Sequence, residues 1–126
     1  MRILLDTHLF LWCINDDKRL SKSVRLKILQ ATEVYVSSAS IWEACIKIKL
    51  NKLEADISEM IAAIKESGFC ELPITTQHAA AVAKLADIHR DPFDRMLIAQ
   101  AISEPLVLLT ADKRLKEYSE LVEVVK

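Results

Sequence analysis

Four carboxylates in this sequence stand where side chains can do metal chemistry. Asp6 ends the apolar run Ile3-Leu4-Leu5, and Glu43 lies one helical turn beyond the β-branched run Val34-Tyr35-Val36. Asp94 falls in the first turn after Asp91-Pro92, and Asp112 follows Leu106-Val107-Leu108-Leu109. Oxygen donors of this kind favour a hard divalent cation, Mg²⁺ or Mn²⁺. Four like charges converging in a partly desolvated crevice repel, and either bound cations or raised pKa values relieve them. Carboxylates with Mg²⁺ suit phosphodiester hydrolysis, in which the metal acidifies its water and neutralises charge on the phosphate. Zinc fits poorly, because His8, His78 and His89 show no H-x-x-x-H spacing and no C-x-x-C accompanies them.

Each acid also has a plainer role open to it. Ser40-x-x-Glu43 fits a capping box, and Lys47 stands four residues from Glu43 for an ordinary helix-surface pair. Asp91 is a natural cap, Asp94 can complement a helix dipole, and Asp112 can cap the short terminal helix holding Leu115. Asp6 is hardest to explain this way, since a carboxylate closing an apolar strand is costly to bury without a partner or metal. Among the basic residues, Lys47, Arg95 and Lys113 flank the acids and are the candidates for holding a nucleic-acid backbone by phosphate contacts; solvated faces are the alternative. Trp12 and Trp42 could stack on bases, but their apolar runs predict core positions, as for Cys13 and Cys45.

The elements that must position these groups alternate. Ile3–Leu5 reads as a strand and Leu9–Ile14 as a buried helix, and Ser21 caps a second helix with Val24, Ile28 and Ala31 on one face. Val34–Val36 predicts a strand feeding a helix from about Ser40 to Asn51. Asp56 to Ser67 carries Ile57, Ile61 and Ile64 at helical spacing, with Gly68 as a left-handed stop. Cys70 to Thr75 predicts an edge strand because of Pro73, and an alanine-rich helix runs from Thr76 to about Asp87. Asp91-Pro92 opens a helix through Ile102, and strands follow at Leu106–Leu109 and Leu121–Val125. This alternation predicts an α/β three-layer sandwich on a mostly parallel sheet of about five strands. The ligand crevice of such a sheet lies beyond the carboxyl ends of its strands, which is where the acids fall.

Composition narrows the alternatives. The 126 residues are 52% hydrophobic and 28% charged, enough for one core, and no linker or low-complexity tract divides them. One glycine, Gly68, excludes a glycine-rich phosphate loop, a dinucleotide fingerprint and a nucleophile elbow. A formal charge of −1 means that any nucleic acid is held by a local patch. Three scattered cysteines in apolar surroundings read as buried free thiols in a cytoplasmic protein, and no stretch is long enough for a membrane span.

Four strings then carry a resemblance. Leu4-Leu5-Asp6-Thr7-His8, Ser38-Ala39-Ser40-Ile41-Trp42-Glu43, His89 through Ala101 (HRDPFDRMLIAQA) and Leu109-Thr110-Ala111-Asp112 resemble the PIN-domain ribonucleases, in order from Ile3 to Val125. More narrowly, the chain resembles the VapC-type toxins of bacterial toxin-antitoxin pairs. The resemblance implies a single PIN-like nuclease domain over residues 1–126, acting as an endoribonuclease dependent on one or two Mg²⁺ or Mn²⁺ ions. It implies Asp6 and Asp94 as the principal ligands, Glu43 as a ligand or water-orienting base, and Asp112 as a ligand or a carboxylate bonded to one. Thr7 and Thr110 would orient these carboxylates, with Asp91 in support. Structured RNA such as transfer or ribosomal RNA, a homodimer and a VapB-type antitoxin are implied as substrate, assembly and partner. Two other classes remain as alternatives: a non-catalytic module binding RNA or protein, and a phosphoacceptor receiver. The receiver fits poorly, since it wants an acidic pair after the first strand and here Asp6 precedes Thr7.

Overall fold

A computed structural model describes residues 1–125. Five strands make one sheet: β1 (Arg2–Leu5), β2 (Glu33–Ser37), β3 (Cys70–Leu72), β4 (Val107–Thr110) and β5 (Val122–Val124). Their order is β3-β2-β1-β4-β5 and every pairing is parallel. Six helices connect them: α1 (Thr7–Ile14), α2 (Lys22–Gln30), α3 (Ser38–Lys49), α4 (Ile57–Glu66), α5 (Thr76–Val82) and α6 (Pro92–Ser103). A 3-10 turn, Lys113–Tyr118, joins β4 to β5.

Side chains of a strand point alternately to its two faces, so a strand buried on both sides divides its apolar residues between two cores. In β1, Ile3 and Leu5 join Leu9, Phe10, Val24, Ile28, Met60 and Ile64, from α1, α2 and α4. Leu4 faces the other way and packs with Leu97, Ile98 and Ala101 of α6, together with Leu108, Leu115 and Val122. α3 serves both layers, with Ala44 in the first core and Ala39 in the second.

Local signals set most boundaries. Asp6, Ser21, Asp56 and Asp91 cap α1, α2, α4 and α6 by accepting backbone N–H groups, and Pro92 sits at the start of α6. Gly68 takes φ +76 after α4, and the Phe69 amide reaches back to the Ile64 carbonyl at 2.9 Å, closing the helix with a left-handed cap.

Several expectations need correction. α3 begins at Ser38 rather than Ser40, because Ser37 is the cap, accepting from the Ala39 amide at 3.0 Å. β3 stops at Leu72, before Pro73, and α5 stops at Val82, well short of Asp87. α4 buries Met60 and Ile64 and leaves Ile61 exposed, since only one face of a surface helix meets the sheet. Trp42 is 59% exposed and Cys45 is exposed, so neither is core; α3 is apolar on more of its circumference than it buries. Cys13 is half-buried against the first core, and burial pushes its thiol up to about 11, while Cys70 is also only half-buried. Among the described residues no helix is long and apolar enough to cross a membrane.

The register aligns the strand ends. Leu5 lies opposite both Val36 and Leu109, so the residues following β1, β2 and β4 emerge side by side at one edge. Leu109 is fully buried where β1 and β4 meet, whereas Leu29 is 81% exposed. Leu109→Ala is expected to cost about 2–5 kcal/mol, against no more than about 0.5 kcal/mol for Leu29→Ala. Urea unfolding midpoints at constant slope measure both.

Candidate metal centre

The aligned carboxyl edge delivers the acids from four directions. Asp6 follows β1, its amide donates to the Leu109 carbonyl at 3.1 Å, and its carboxylate accepts from the Leu9 amide at 2.8 Å. Beyond β2, α3 turns Ser40 and Glu43 inward, where both are buried. Beyond β4, the Asp112 amide donates to the Thr110 hydroxyl at 3.0 Å, which turns the chain back toward the crevice. Asp94 comes from the first turn of α6, whose start is fixed by Asp91 accepting from the Phe93 and Asp94 amides.

The capping-box reading of Glu43 does not hold, because Ser40 lies inside the helix. Thr7 Oγ1 instead sits 2.8 Å from Glu43 Oε1 and 2.9 Å from Ser40 Oγ. A single hydroxyl proton serves one acceptor at a time, and the charged carboxylate is the stronger one. Lys47 Nζ holds Oε2 of the same carboxylate at 2.7 Å. Glu43 is thus gripped at both oxygens. At the outer rim, Arg114 donates to both oxygens of Asp112, at 3.0 and 2.7 Å, and the backbone amide of Arg114 adds a third bond. That guanidinium holds the Asp112 carboxyl below its usual range.

Asp6 and Asp94 are treated differently. Asp6 is only 6% exposed, and among the described residues it forms no salt bridge. Burial pushes its pKa up and the nearby Glu43 charge adds to this, against the Thr110 hydroxyl, the Leu9 amide and His8, which pull it down. Asp94 is raised to about 6, by burial first, then by the charges of Asp91 and Glu43, with His89 opposing. The Glu43 charge acts on both Asp6 and Asp94, so both carboxylates lie within electrostatic range of it. An edge-on contact between the Trp42 and Phe93 rings, centroids 5.0 Å apart, ties the Glu43 turn of α3 to the Asp94 turn of α6.

One group absent from the sequence-based set joins them. His89 Nε2 lies 3.1 Å from Asp94 Oδ2, and His89, Asp94 and Asp112 offer atoms all within 4.8 Å of one another. Asp6 and Glu43 lie outside that trio. Helical spacing rules could not reveal His89, because it sits in the segment before α6; its only signal is its place at the head of the His89-Arg90-Asp91-Pro92-Phe93-Asp94 string. Arg95, expected to hold phosphate, makes internal contacts instead, donating to the carbonyls of Val82, Ala86 and His89 and to the Tyr118 hydroxyl. Lys113 is exposed at the start of the 3-10 turn, beside Asp112.

The donor set fits a divalent cation. It is rich in oxygen, it is partly desolvated, and Asp6 and Asp94 are held above the usual range by burial and repulsion, with no lysine or arginine paired to them. A testable consequence follows from Asp94. Its folded pKa of about 6 exceeds the ordinary 3.8, so its contribution to stability is full below the lower value and is lost as the pH rises through the higher. In the absence of divalent cations, Asp94→Asn is expected to gain stability relative to wild type, on the order of 2 kcal/mol between about pH 4 and about pH 7, in thermal unfolding. A difference that stays flat across this range would contradict the raised pKa of Asp94.

Comparison with known proteins places the fold and the family. Ribonuclease VapC22 of Mycobacterium tuberculosis (strain ATCC 25618 / H37Rv) is 28% identical over 123 residues, covering 92% of this chain and 91% of that protein. Among solved structures, VapBC2 from Rickettsia felis bound to a promoter DNA fragment superposes with a TM-score of 0.72 at 16% identity, covering 99% of this chain and 98% of the other. DNA-bound VapBC from Salmonella typhimurium gives 0.66 at 21% identity over 99% and 97%. FitAB bound to an IR36 DNA fragment gives 0.61 at 19% over 87% and 85%. The family model of the PIN domain matches residues 3–121, spanning every strand end that carries an acid, and the chain belongs to the PIN domain family.

Proposed function

We propose that the protein is a metal-dependent endoribonuclease and the toxin of a VapBC-type pair, acting in the cytoplasm on structured RNA. The observation that carries this reading is the pair of acids with raised pKa values, buried Asp6 and half-buried Asp94, set with Glu43 and Asp112 beyond the strand ends, with no lysine or arginine paired to either. The similarity to proteins described as a ribonuclease and as VapBC complexes supports the choice of substrate and partner.

Asp6, Asp94 and Asp112 would hold one or two Mg²⁺ or Mn²⁺ ions, with His89 in reach of the last two. When bound, such a cation acidifies a water and neutralises charge on the scissile phosphate. Glu43, fixed by Thr7 and Lys47, is placed to orient that water and to take its proton. Thr110 steadies Asp6 and supports the turn to Asp112. Lys47, half-exposed beside Glu43, and Lys113, exposed on the rim, would contact backbone phosphates. Arg95 donates to the carbonyls of Val82 and Ala86, which makes Lys47 and Lys113 the better placed of the three for a backbone contact. Hydrolysis by an activated water leaves 3′-hydroxyl and 5′-phosphate ends.

A homodimer and an antitoxin need surface to dock on. Trp42, Ile46 and Leu50 form an exposed apolar stripe along and just past α3, with Ile61 exposed on the neighbouring α4. The receiver alternative falls away with membership of the PIN family, whose model runs through all four acids. The binding-module alternative is separated by assay. Purified protein freed of partner is expected to cut RNA with Mg²⁺ or Mn²⁺ and to stop with EDTA. Asp94→Asn is expected to lose at least about 100-fold in kcat/KM. RNA that binds but stays intact with either metal, or full activity in Asp94→Asn, would overturn the proposal.

A further inference from the structure

His89 is held more firmly than a loop residue needs to be. Its backbone amide donates to the Tyr118 hydroxyl at 2.7 Å, and that hydroxyl donates back to the His89 carbonyl at 3.1 Å. Arg95 donates both to the same carbonyl, at 3.3 Å, and to the Tyr118 oxygen, at 3.2 Å. The peptide is therefore clamped at both ends by side chains from α6 and from the 3-10 turn. The imidazole projects from this clamp into the acidic crevice, 16% exposed, with Nε2 against Asp94.

Resting on the metal-centre reading above, we propose that His89 is a nitrogen ligand of the cation and gives the site a preference for Mn²⁺ over Mg²⁺. Ligand atoms about 2.0–2.2 Å from one ion stand roughly 3–4.4 Å from each other. The trio of His89, Asp94 and Asp112, all within 4.8 Å, needs only small side-chain rotations to reach that spacing. Nε2 and Oδ2 of Asp94 lie 3.1 Å apart, and each can give a lone pair to a cation. With the imidazole proton on Nδ1, Nε2 becomes that donor. Carboxylates serve Mg²⁺ and Mn²⁺ alike, whereas imidazole suits transition metals and is a poor ligand for Mg²⁺. Arg95 and Tyr118 are then positioning residues, since they fix the ring through its backbone and touch no substrate.

Pulsed electron paramagnetic resonance on the full chain loaded with Mn²⁺ tests this without reference to activity. Nitrogen coupling is expected in the wild type, replaced by the heavier-isotope pattern after ¹⁵N-histidine labelling and lost in His89→Phe. Calorimetry is expected to show Mn²⁺ affinity falling about tenfold or more in His89→Phe while Mg²⁺ affinity changes less than about threefold. Tyr118→Phe, which keeps the imidazole, is expected to give an intermediate loss for Mn²⁺, with thermal unfolding confirming that each variant is folded. Mn²⁺ bound without nitrogen coupling, or equal losses for the two metals, would overturn the role of His89 and leave the nuclease reading standing. A wild-type chain that binds neither metal would overturn both.

Discussion

Mutual repulsion among carboxylates taken out of water is the constraint around which this molecule is organised. A parallel sheet buried on both faces spends its central strands on Leu, Ile and Val, and the chain can turn polar only where those strands end. Leu5, Val36 and Leu109 end in register, so Asp6, the start of α3 and the Thr110–Asp112 turn emerge together. Charges that could be dispersed over a surface are thereby concentrated, and the concentration costs stability unless a cation is present.

The two halves of the cluster meet that cost differently. Half-exposed Lys47 neutralises the buried Glu43, and Arg114 neutralises Asp112 at the rim through a partly solvated contact. Asp6, buried, and Asp94, half-buried, have hydrogen bonds but no lysine or arginine, and burial drives their protonation equilibria upward. An arrangement built only for stability would place an apolar or uncharged residue at Asp6. The carboxylate retained there is held by the Leu9 amide and the Thr110 hydroxyl, fixed in the orientation that the proposed cation site would use. The Trp42–Phe93 contact and the Arg95–Tyr118 clamp extend this rigidity to Glu43 and His89.

The layered α/β architecture and the four acids were legible because they rest on local signals: apolar runs that stop at an acid, Asp91-Pro92 at a helix start, Gly68 at a helix end. What the sequence hid depends on distant partners. Ser37, Ser38 and Ser40 all have the chemistry of a cap; the structure uses Ser37, and Ser40 sits inside the helix with its hydroxyl bonded to Thr7 of α1. Trp42 and Cys45 share an apolar run with buried Ala44, and nothing local says which side of α3 meets the sheet. Arg95 reads as a surface cation until the carbonyls of Val82, Ala86 and His89 are brought around it. His89 takes its place through a tyrosine 29 residues away, a relation no spacing rule contains.

Calorimetric titration of the wild-type chain with Mg²⁺, in two buffers of different ionisation enthalpy, tests the central claim most directly. If buried, repelling carboxylates form the cation site, binding near pH 6 must displace protons from them, and the number displaced must fall as the pH is raised toward 8. Binding with no proton release across that range, or no binding at all, would show that the acids at the sheet edge do not work as one centre.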